Sequence, residues 1–257
     1  MRLGADPRSG RLPPDLTVVQ LGDLVHRGPD SDGVVALVDR FLTTQAGQWV
    51  QLVGNHEAQY LRDPAFDWPE RIGETAVDTL HRWWTTGQMQ VAAVVSTARE
   101  DFLVTHAGLT WHFWLEELGA PGSAADATAA LNALIGTRDD LVFRPGQMLS
   151  GRRRDRAAGP VWAATASELL PGWLGAVLPF SQVHGHASLY DWRQRIFRAG
   201  TEIEALTSVD ESARHETTRL INGRIIGIDP DHGREAHASW QALELEGSVG
   251  PGQGVGP

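Results

Sequence analysis

The sequence predicts a layered α/β fold. Three short apolar runs, residues 16–22, 48–54 and 101–108, each end in a glycine. Segments between them repeat apolar residues at helical spacing, and a further apolar run follows within residues 175–187. Strands that alternate with helices are typical of an α/β protein, and the late β-like runs add β structure toward the C-terminus.

The first half of the chain supplies two strand and helix pairs. The strand at 16–22 is β-branched, and the segment 31–45 after it predicts a helix. Its apolar positions are Val34, Val35, Leu37, Val38, Phe41 and Leu42. A second strand is predicted at 48–54. A second helix is predicted at 68–88, with Pro69 near its start and Gly87 near its end.

The second half continues the pattern less regularly. We predict a third strand at 101–108, an Ala-rich helix over 123–136 capped by Ser123, and a fourth strand within 175–187. Residues 223–230 and 238–247 are predicted to form a late β pair. We assign residues 1–246 to one domain, and the Gly/Pro-rich residues 247–257 to a disordered tail.

Composition excludes several classes of protein. The net charge of −10 over 257 residues argues against DNA or another nucleic acid as a general partner, because such surfaces are basic. No cysteine is present, so any metal would be bound by His, Asp, Glu or Asn. The first residues lack the apolar core of a signal peptide, and no apolar run is long enough to cross a bilayer. We therefore expect a cytoplasmic protein with no membrane partner; its oligomeric state is left open.

Polar residues follow four of the predicted strands. Asp23 follows the first strand, Asn55 and His56 the second, His106 lies near the end of the third, and His186 near the end of the fourth. Ligands of open α/β sheets bind at the carboxyl ends of the strands. Carboxylate, amide and imidazole donors from such ends suit manganese, iron or zinc. The pattern predicts a metal site.

The motifs that carry these residues resemble a known family. "GDLVHRG", "GNHE", "HAG" and "GH" occur in the order found in calcineurin-like metallophosphoesterases, over about Leu16 to Ser188. The chain is most similar to the bacterial phosphoprotein-phosphatase branch, which includes symmetrical diadenosine tetraphosphatases and Ser/Thr protein phosphatases. The resemblance implies a central β-sandwich flanked by helices.

The resemblance also implies roles for these residues. Asp23 would bridge two divalent or transition metal ions (Mn, Fe or Zn, with Mn favoured), and Asn55, His106 and His186 would complete the shell of the second ion. Hydroxide held by such a pair attacks phosphorus directly. The implied general acid is His56. A phosphoryl group would be bound by Arg27, with Asn55 also in contact with substrate.

Other residues near these motifs carry weaker interpretations. Glu57 either orients its loop or pairs with a cation, and we do not assign it to the metal. His184 has a structural or a supporting role, of which we favour the structural one. Many relatives carry an Asp at the position of His26, where it would orient the catalytic histidine.

Two further segments leave alternatives open. A second phosphate-binding arginine is expected, and Arg152, Arg153, Arg154 and Arg156 are the candidates. The alternative for this basic segment is a solvated loop, which we favour. Trp111 and Trp114 lie at helical spacing and are expected in the core, with the wall of a substrate groove as the alternative.

The leading function hypothesis is a metal-dependent phosphohydrolase. Its substrate would be a phosphomonoester on a protein or a phosphoanhydride in a dinucleoside polyphosphate. The alternative is a truncated or degenerate, inactive member that still binds phosphate. Two equivalents of transition metal per chain would favour the enzyme, and one or none the binding protein.

One family motif is missing from these 257 residues. Relatives begin with a Gly-Asp-x-His-Gly stretch that supplies two more ligands, whereas no Asp-x-His occurs here. We therefore expect a first strand and helix to be absent and the natural chain to begin upstream of Met1. The 257 residues alone are expected to bind at most one metal ion tightly and to be feeble or inactive.

Overall fold

A computed structural model describes residues 4, 6, 10–65, 67–147, 156–231 and 239–250. The chain divides into two compact units, Met1–Gln90 and Val91–Pro257. The assignment of residues 1–246 to a single domain stays a prediction.

The first unit is built on a parallel sheet. Its strands are β1 (Val18–Gln20), β2 (Trp49–Leu52) and β3 (Met89–Gln90), in the order β1-β2-β3. The helices are α1 (Ser31–Thr44), α2 (Ala58–Leu61) and α3 (Glu74–Thr85). Parallel pairing aligns β1 with β2 so that Val18 faces Trp49 and Gln20 faces Gln51. Both strands therefore end at the same edge of the sheet.

Local sequence explains where α1 begins and which face it buries. The Asp30 side chain caps the helix by accepting a hydrogen bond from the Gly33 N–H at 2.8 Å. Four of the six predicted apolar positions, Val35, Val38, Phe41 and Leu42, are buried. The other two, Val34 and Leu37, are 38% and 43% exposed. The apolar face of α1 is therefore narrower than the sequence pattern suggests.

Helix α3 begins six residues later than predicted. The predicted start at Trp68 is wrong because the preceding segment makes contacts with the loop after β1. Trp68 stacks on His26, Glu70 accepts a hydrogen bond from the Arg27 N–H, and Gly73 donates to Asp32. These contacts hold the segment outside the helix until Glu74.

A seven-stranded mixed sheet forms the second unit. Its strands are β4 (Ala92–Thr97), β5 (Asp101–Thr105), β6 (Ser181–His184), β9 (Thr207–Asp210), β10 (His215–Leu220), β11 (Gly223–Gly227) and β12 (Gly247–Gly250), in the order β12-β4-β5-β6-β11-β10-β9. The central strands β5, β6 and β11 run parallel, and the outer pairs are antiparallel. The small sheet of β7 (Tyr190–Asp191) and β8 (Ile196–Phe197) is antiparallel.

Short helices accompany this sheet. They are α4 (Ala124–Asn132), α5 (Asp139–Val142), α6 (Leu170–Trp173) and α7 (Thr201–Leu206), with π-helical turns at Phe113–Glu117 and Thr165–Leu169. Ser123 caps α4 as predicted, because its hydroxyl accepts from the Asp126 N–H at 3.0 Å. Leu169, Leu170, Trp173 and Leu178 belong to a buried apolar cluster. The mixed α/β class is confirmed.

The C-terminal β structure differs from the prediction. Strand β11 pairs with β10 through a two-residue turn at Ile221 and Asn222, and not with residues 238–247. Asn222 has a φ of 68°, a left-handed conformation that Asn adopts in turns more readily than most residues. Residues 247–250, predicted as disordered, form β12 and pair with β4. The remainder of the predicted tail, residues 251–257, lies outside the described residues.

Among the described residues, none of the helices has both the length and the apolar character needed to span a membrane.

Candidate functional site

The loops after β1 and β2 approach each other very closely in the first unit. A Cβ atom added to Gly22 would lie 2.6 Å from Cα of Gly54, and one added to Gly54 would overlap the backbone nitrogen of Asp23. Gly22 also has a φ of 95°, which side-chain-bearing residues rarely adopt. Both glycines are therefore required for the two loops to meet.

The Glu57 carboxylate joins these two loops. One oxygen accepts hydrogen bonds from the N–H groups of Asp23 and Gly54, each at 2.8 Å. The other accepts from Leu24 at 2.7 Å and Val25 at 3.3 Å. Glu57 is fully buried. Of its two predicted interpretations, the geometry supports the one in which it orients the loop.

We predict that Glu57→Gln destabilises the first unit. The new amide places an NH₂ group against two buried N–H donors and leaves them without an acceptor, which should lower the free energy of unfolding by about 2–5 kcal/mol. Urea denaturation measures the loss. Glu216→Gln is the matched control, because within the described part of the chain buried Glu216 accepts from two backbone N–H groups, those of Leu189 and Tyr190. If Glu57→Gln lost no more free energy of unfolding than Glu216→Gln, this role of Glu57 would be contradicted.

Asp23, Asn55 and His56 lie where the two loops meet. The Asp23 carboxylate accepts a hydrogen bond from the His56 N–H at 3.1 Å, and its other oxygen lies 3.9 Å from Nε2 of His56. Asn55 and His56 are buried, whereas the Asp23 side chain retains 28% exposure. The first unit therefore brings together three of the predicted site residues.

The loop after Asp23 has an unusual backbone. Asp23, His26 and Arg27 have φ values of 57°, 71° and 62°, all in the left-handed region. Such strain is stored mainly at functional sites, where surrounding contacts hold it in place. The turn leaves Arg27 exposed, with its guanidinium carbon 5.4 Å from the centre of the Trp68 ring. Arg27 is therefore a cation that a phosphoryl group in solution can reach.

His26 lies inward of Arg27 and is only 6% exposed. Its Nδ1 is 2.8 Å from Nδ1 of His56, and its Nε2 is 2.6 Å from the hydroxyl of Tyr60. Burial, with a smaller contribution from neighbouring His56, lowers the pKa of His26 to about 4. His26 is therefore neutral at neutral pH.

The lowered pKa of His26 predicts a pH dependence of stability. Between pH 4 and its ordinary pKa of 6.5, the unfolded chain binds the proton that folded His26 does not, so the free energy of unfolding should fall as pH falls through this range. His26→Asn should make this fall smaller. Urea denaturation at several pH values tests it, with exposed His81→Asn as the control. Parallel curves for wild type and His26→Asn would contradict the prediction.

In the second unit, His106 and His186 follow neighbouring parallel strands. In the parallel register of β5 and β6, Val104 lies opposite Val183, so the residues that follow the two strands lie side by side. Nε2 of His106 is 3.1 Å from Nδ1 of His186. Ligand nitrogens bind a transition metal ion at about 2.0–2.1 Å, so two nitrogens at this separation fit neighbouring positions on one ion.

His184 differs from these two histidines. It is fully buried within β6, opposite Gly227 of β11, and its Nδ1 lies 2.9 Å from the carbonyl oxygen of Gly185. Burial lowers its pKa to about 4. His186 has a φ of 60°, so the strand alternation that would point both histidines to one side ends before it. The structural interpretation of His184 is favoured.

Trp111 and Trp114, the two tryptophans with open alternatives, both contact the core of the second unit. Trp111 and Trp114 contact the buried cluster around Leu169, and the Trp114 ring lies 5.4 Å from that of Trp173. Trp111 also lines a cavity of about 830 Å³, together with Arg156. Trp114 therefore packs on the core as expected, whereas Trp111 combines a core contact with a position on a cavity wall.

Of the four candidates for a second phosphate-binding arginine, Arg152, Arg153 and Arg154 lie outside the described residues. Arg156 is exposed.

Sequence reasoning missed three residues that contact the predicted site in the first unit. Tyr60 binds His26, Trp68 stacks on it at 5.2 Å, and Glu70 accepts from the backbone of Arg27. Tyr60 lies in α2, which begins two residues after His56, and no local sequence pattern indicates its contact with His26. The segment with Trp68 and Glu70 was predicted to be helical, and for that reason its contacts with the loop after β1 were not predicted.

The comparison with protein families identifies the class of protein. The sequence model of the calcineurin-like phosphoesterases matches residues 8–141, slightly more than half of the chain. The chain therefore belongs to the calcineurin-like phosphoesterase family. A search of curated proteins finds no match to it.

Membership in this family supports metal-dependent hydrolysis of phosphoesters in general. Family members typically bind divalent metals. The matched region contains the two loops joined by Glu57, and also His106.

Proposed function

We propose that this protein is a metal-dependent phosphohydrolase of the bacterial phosphoprotein-phosphatase branch. Its substrate would be a phosphomonoester on Ser or Thr of a protein, or a phosphoanhydride in a dinucleoside polyphosphate. The observation that carries the proposal is the pair of loops joined by Glu57, which brings Asp23, Asn55 and His56 together in a member of a phosphoesterase family.

The proposed metal ligands are Asp23, Asn55, His106 and His186. Their donors are a carboxylate, an amide oxygen and two imidazole nitrogens, a set that fits manganese, iron or zinc. We favour manganese because two of the donors are oxygens. Divalent ions at such a site supply Lewis-acid chemistry, which activates water and stabilises charge on phosphoryl oxygens.

The remaining steps belong to side chains of the first unit. Exposed Arg27 would bind two phosphoryl oxygens, because its planar guanidinium matches their spacing, and the Asn55 amide would contact the same group. His56 would donate the proton on Nε2 to the leaving oxygen, which converts a poor leaving group into a neutral alcohol. Glu57 holds the backbone that carries these residues.

A substrate screen tests the proposal. The purified protein would be assayed with para-nitrophenyl phosphate, a phosphoserine peptide and diadenosine tetraphosphate, each with and without Mn²⁺. We expect manganese-dependent release of phosphate or nucleotide from at least one substrate. Phosphate binding without turnover of any substrate would contradict the proposal and favour the inactive binding protein.

A further inference from the structure

The His26 ring lies between two other polar groups in the first unit. Its two nitrogens face Nδ1 of His56 at 2.8 Å and the Tyr60 hydroxyl at 2.6 Å. The Trp68 ring stacks on it nearly parallel, at an angle of 11°. His26 and His56 are buried, and the Ile72 N–H lies 3.3 Å from the Tyr60 oxygen. This arrangement fixes both ring planes.

Hydrogen-bond rules limit where the hydrogens lie. Two imidazole nitrogens that face each other share one hydrogen, so one Nδ1 donates and the other accepts. If His56 gives up a proton from Nε2, it must keep the one on Nδ1, because otherwise it would be left as an imidazolate anion. Nδ1 of His26 is then the acceptor, and a neutral His26 carries its hydrogen on Nε2.

We propose that His26 and Tyr60 are positioning residues for His56. The Tyr60 oxygen, which already accepts from the Ile72 N–H, also accepts from Nε2–H of His26 in the tautomer whose Nδ1 accepts from Nδ1–H of His56. The Nε2 atom of His56 is thereby held on the side of Asp23, at 3.9 Å from its carboxylate. A carboxylate or carbonyl oxygen usually orients a histidine ring by accepting a hydrogen bond from one ring nitrogen. Here a neutral imidazole, itself held by a phenol, has that role.

The inference rests on the proposed function in one respect. The proposed role of His56 as a general acid is the reason that its ring must be positioned. The lowered pKa of His26, caused mainly by burial, agrees with this geometry, since only the neutral ring can accept the hydrogen bond. Arg27, whose side chain also lies against Trp68, adds no acceptor to this chain of hydrogen bonds.

The test compares Tyr60→Phe with Tyr190→Phe, the same change at the only other tyrosine. Nitrogen NMR of ¹⁵N-histidine-labelled full-length protein reports which ring nitrogen carries hydrogen, with His26 signals assigned by their loss in His26→Asn. We expect a hydrogen on Nε2 of His26 in the wild type, and altered His26 signals in Tyr60→Phe alone. A hydrogen on Nδ1 of His26, or signals unchanged by Tyr60→Phe, would overturn the inference.

Kinetics provide the second readout. Tyr60→Phe should lower kcat on an alkyl phosphate about tenfold with little change in KM, whereas Tyr190→Phe should change neither. His26→Asn, whose amide oxygen reaches toward the Nδ1 position, should retain more kcat than His26→Phe, which keeps the ring stacking and loses the acceptor. Unchanged kcat in Tyr60→Phe would overturn the inference, whereas an inactive wild type would contradict the proposed function and leave the nitrogen spectra to test the positioning.

Discussion

Asp23→Asn is expected to abolish both hydrolysis and tight metal binding. Asp23 is the one carboxylate among the four proposed ligands, and an amide in its place would not supply the negative charge that a carboxylate would contribute to a metal site. The variant should fold, because Asn is tolerated at the φ of 57° found here and its amide oxygen can still accept from the His56 N–H. Metal analysis of the purified protein and a hydrolysis assay with Mn²⁺ measure the two losses.

A matched control is available in the same loop. Asp30→Asn also removes a carboxylate, but Asn caps a helix as well as Asp does, so α1, metal content and activity should all be unchanged. Full activity in a metal-loaded Asp23→Asn protein would refute the proposal that Asp23 is a metal ligand.

His56→Ala is expected to lower kcat by about 10²–10⁴-fold on an alkyl phosphate, the usual contribution of general acid catalysis. Metal content should be unchanged, because His56 is not among the proposed ligands. The loss should be much smaller on para-nitrophenyl phosphate, whose leaving group is stable without a proton. Steady-state kinetics on both substrates measure the difference.

The control for this variant is His81→Ala. His81 is exposed on α3, so its removal should change neither substrate's kcat. An equal loss on both substrates in His56→Ala would argue that His56 has a role other than proton donation.

Periodicity and strand-end residues predicted the parts of the fold that local sequence governs. Helix α1, the Ser123-capped helix and the runs that became β1, β2, β5 and β6 were all found. The pairing of the C-terminal strands was not predicted, because the partner of a strand in a mixed sheet depends on which distant strand has an unpaired edge. Gly247–Gly250 is Gly-rich and carries no β signal, yet it pairs along the edge of β4.

In the candidate site, too, features set by local sequence were predicted and contacts between distant residues were not. The motifs assign Asp23, Asn55 and His56 to one candidate site, and in the first unit Asp23 contacts His56, the neighbour of Asn55 in the chain. Contacts made by side chains across a loop, such as Trp68 on His26, leave no periodic pattern and were missed. For Glu57, the sequence indicated only that the residue could orient its loop, and not which four backbone N–H groups it accepts from.

The most direct test of the account is the metal dependence of para-nitrophenyl phosphate hydrolysis by the purified protein. The protein would be stripped with a chelator, assayed, and assayed again after addition of Mn²⁺. The account predicts that stripping removes the activity and that manganese restores it. Hydrolysis that survives stripping, or a protein that binds manganese and hydrolyses no phosphate ester, would contradict the proposal of a metal-dependent phosphohydrolase.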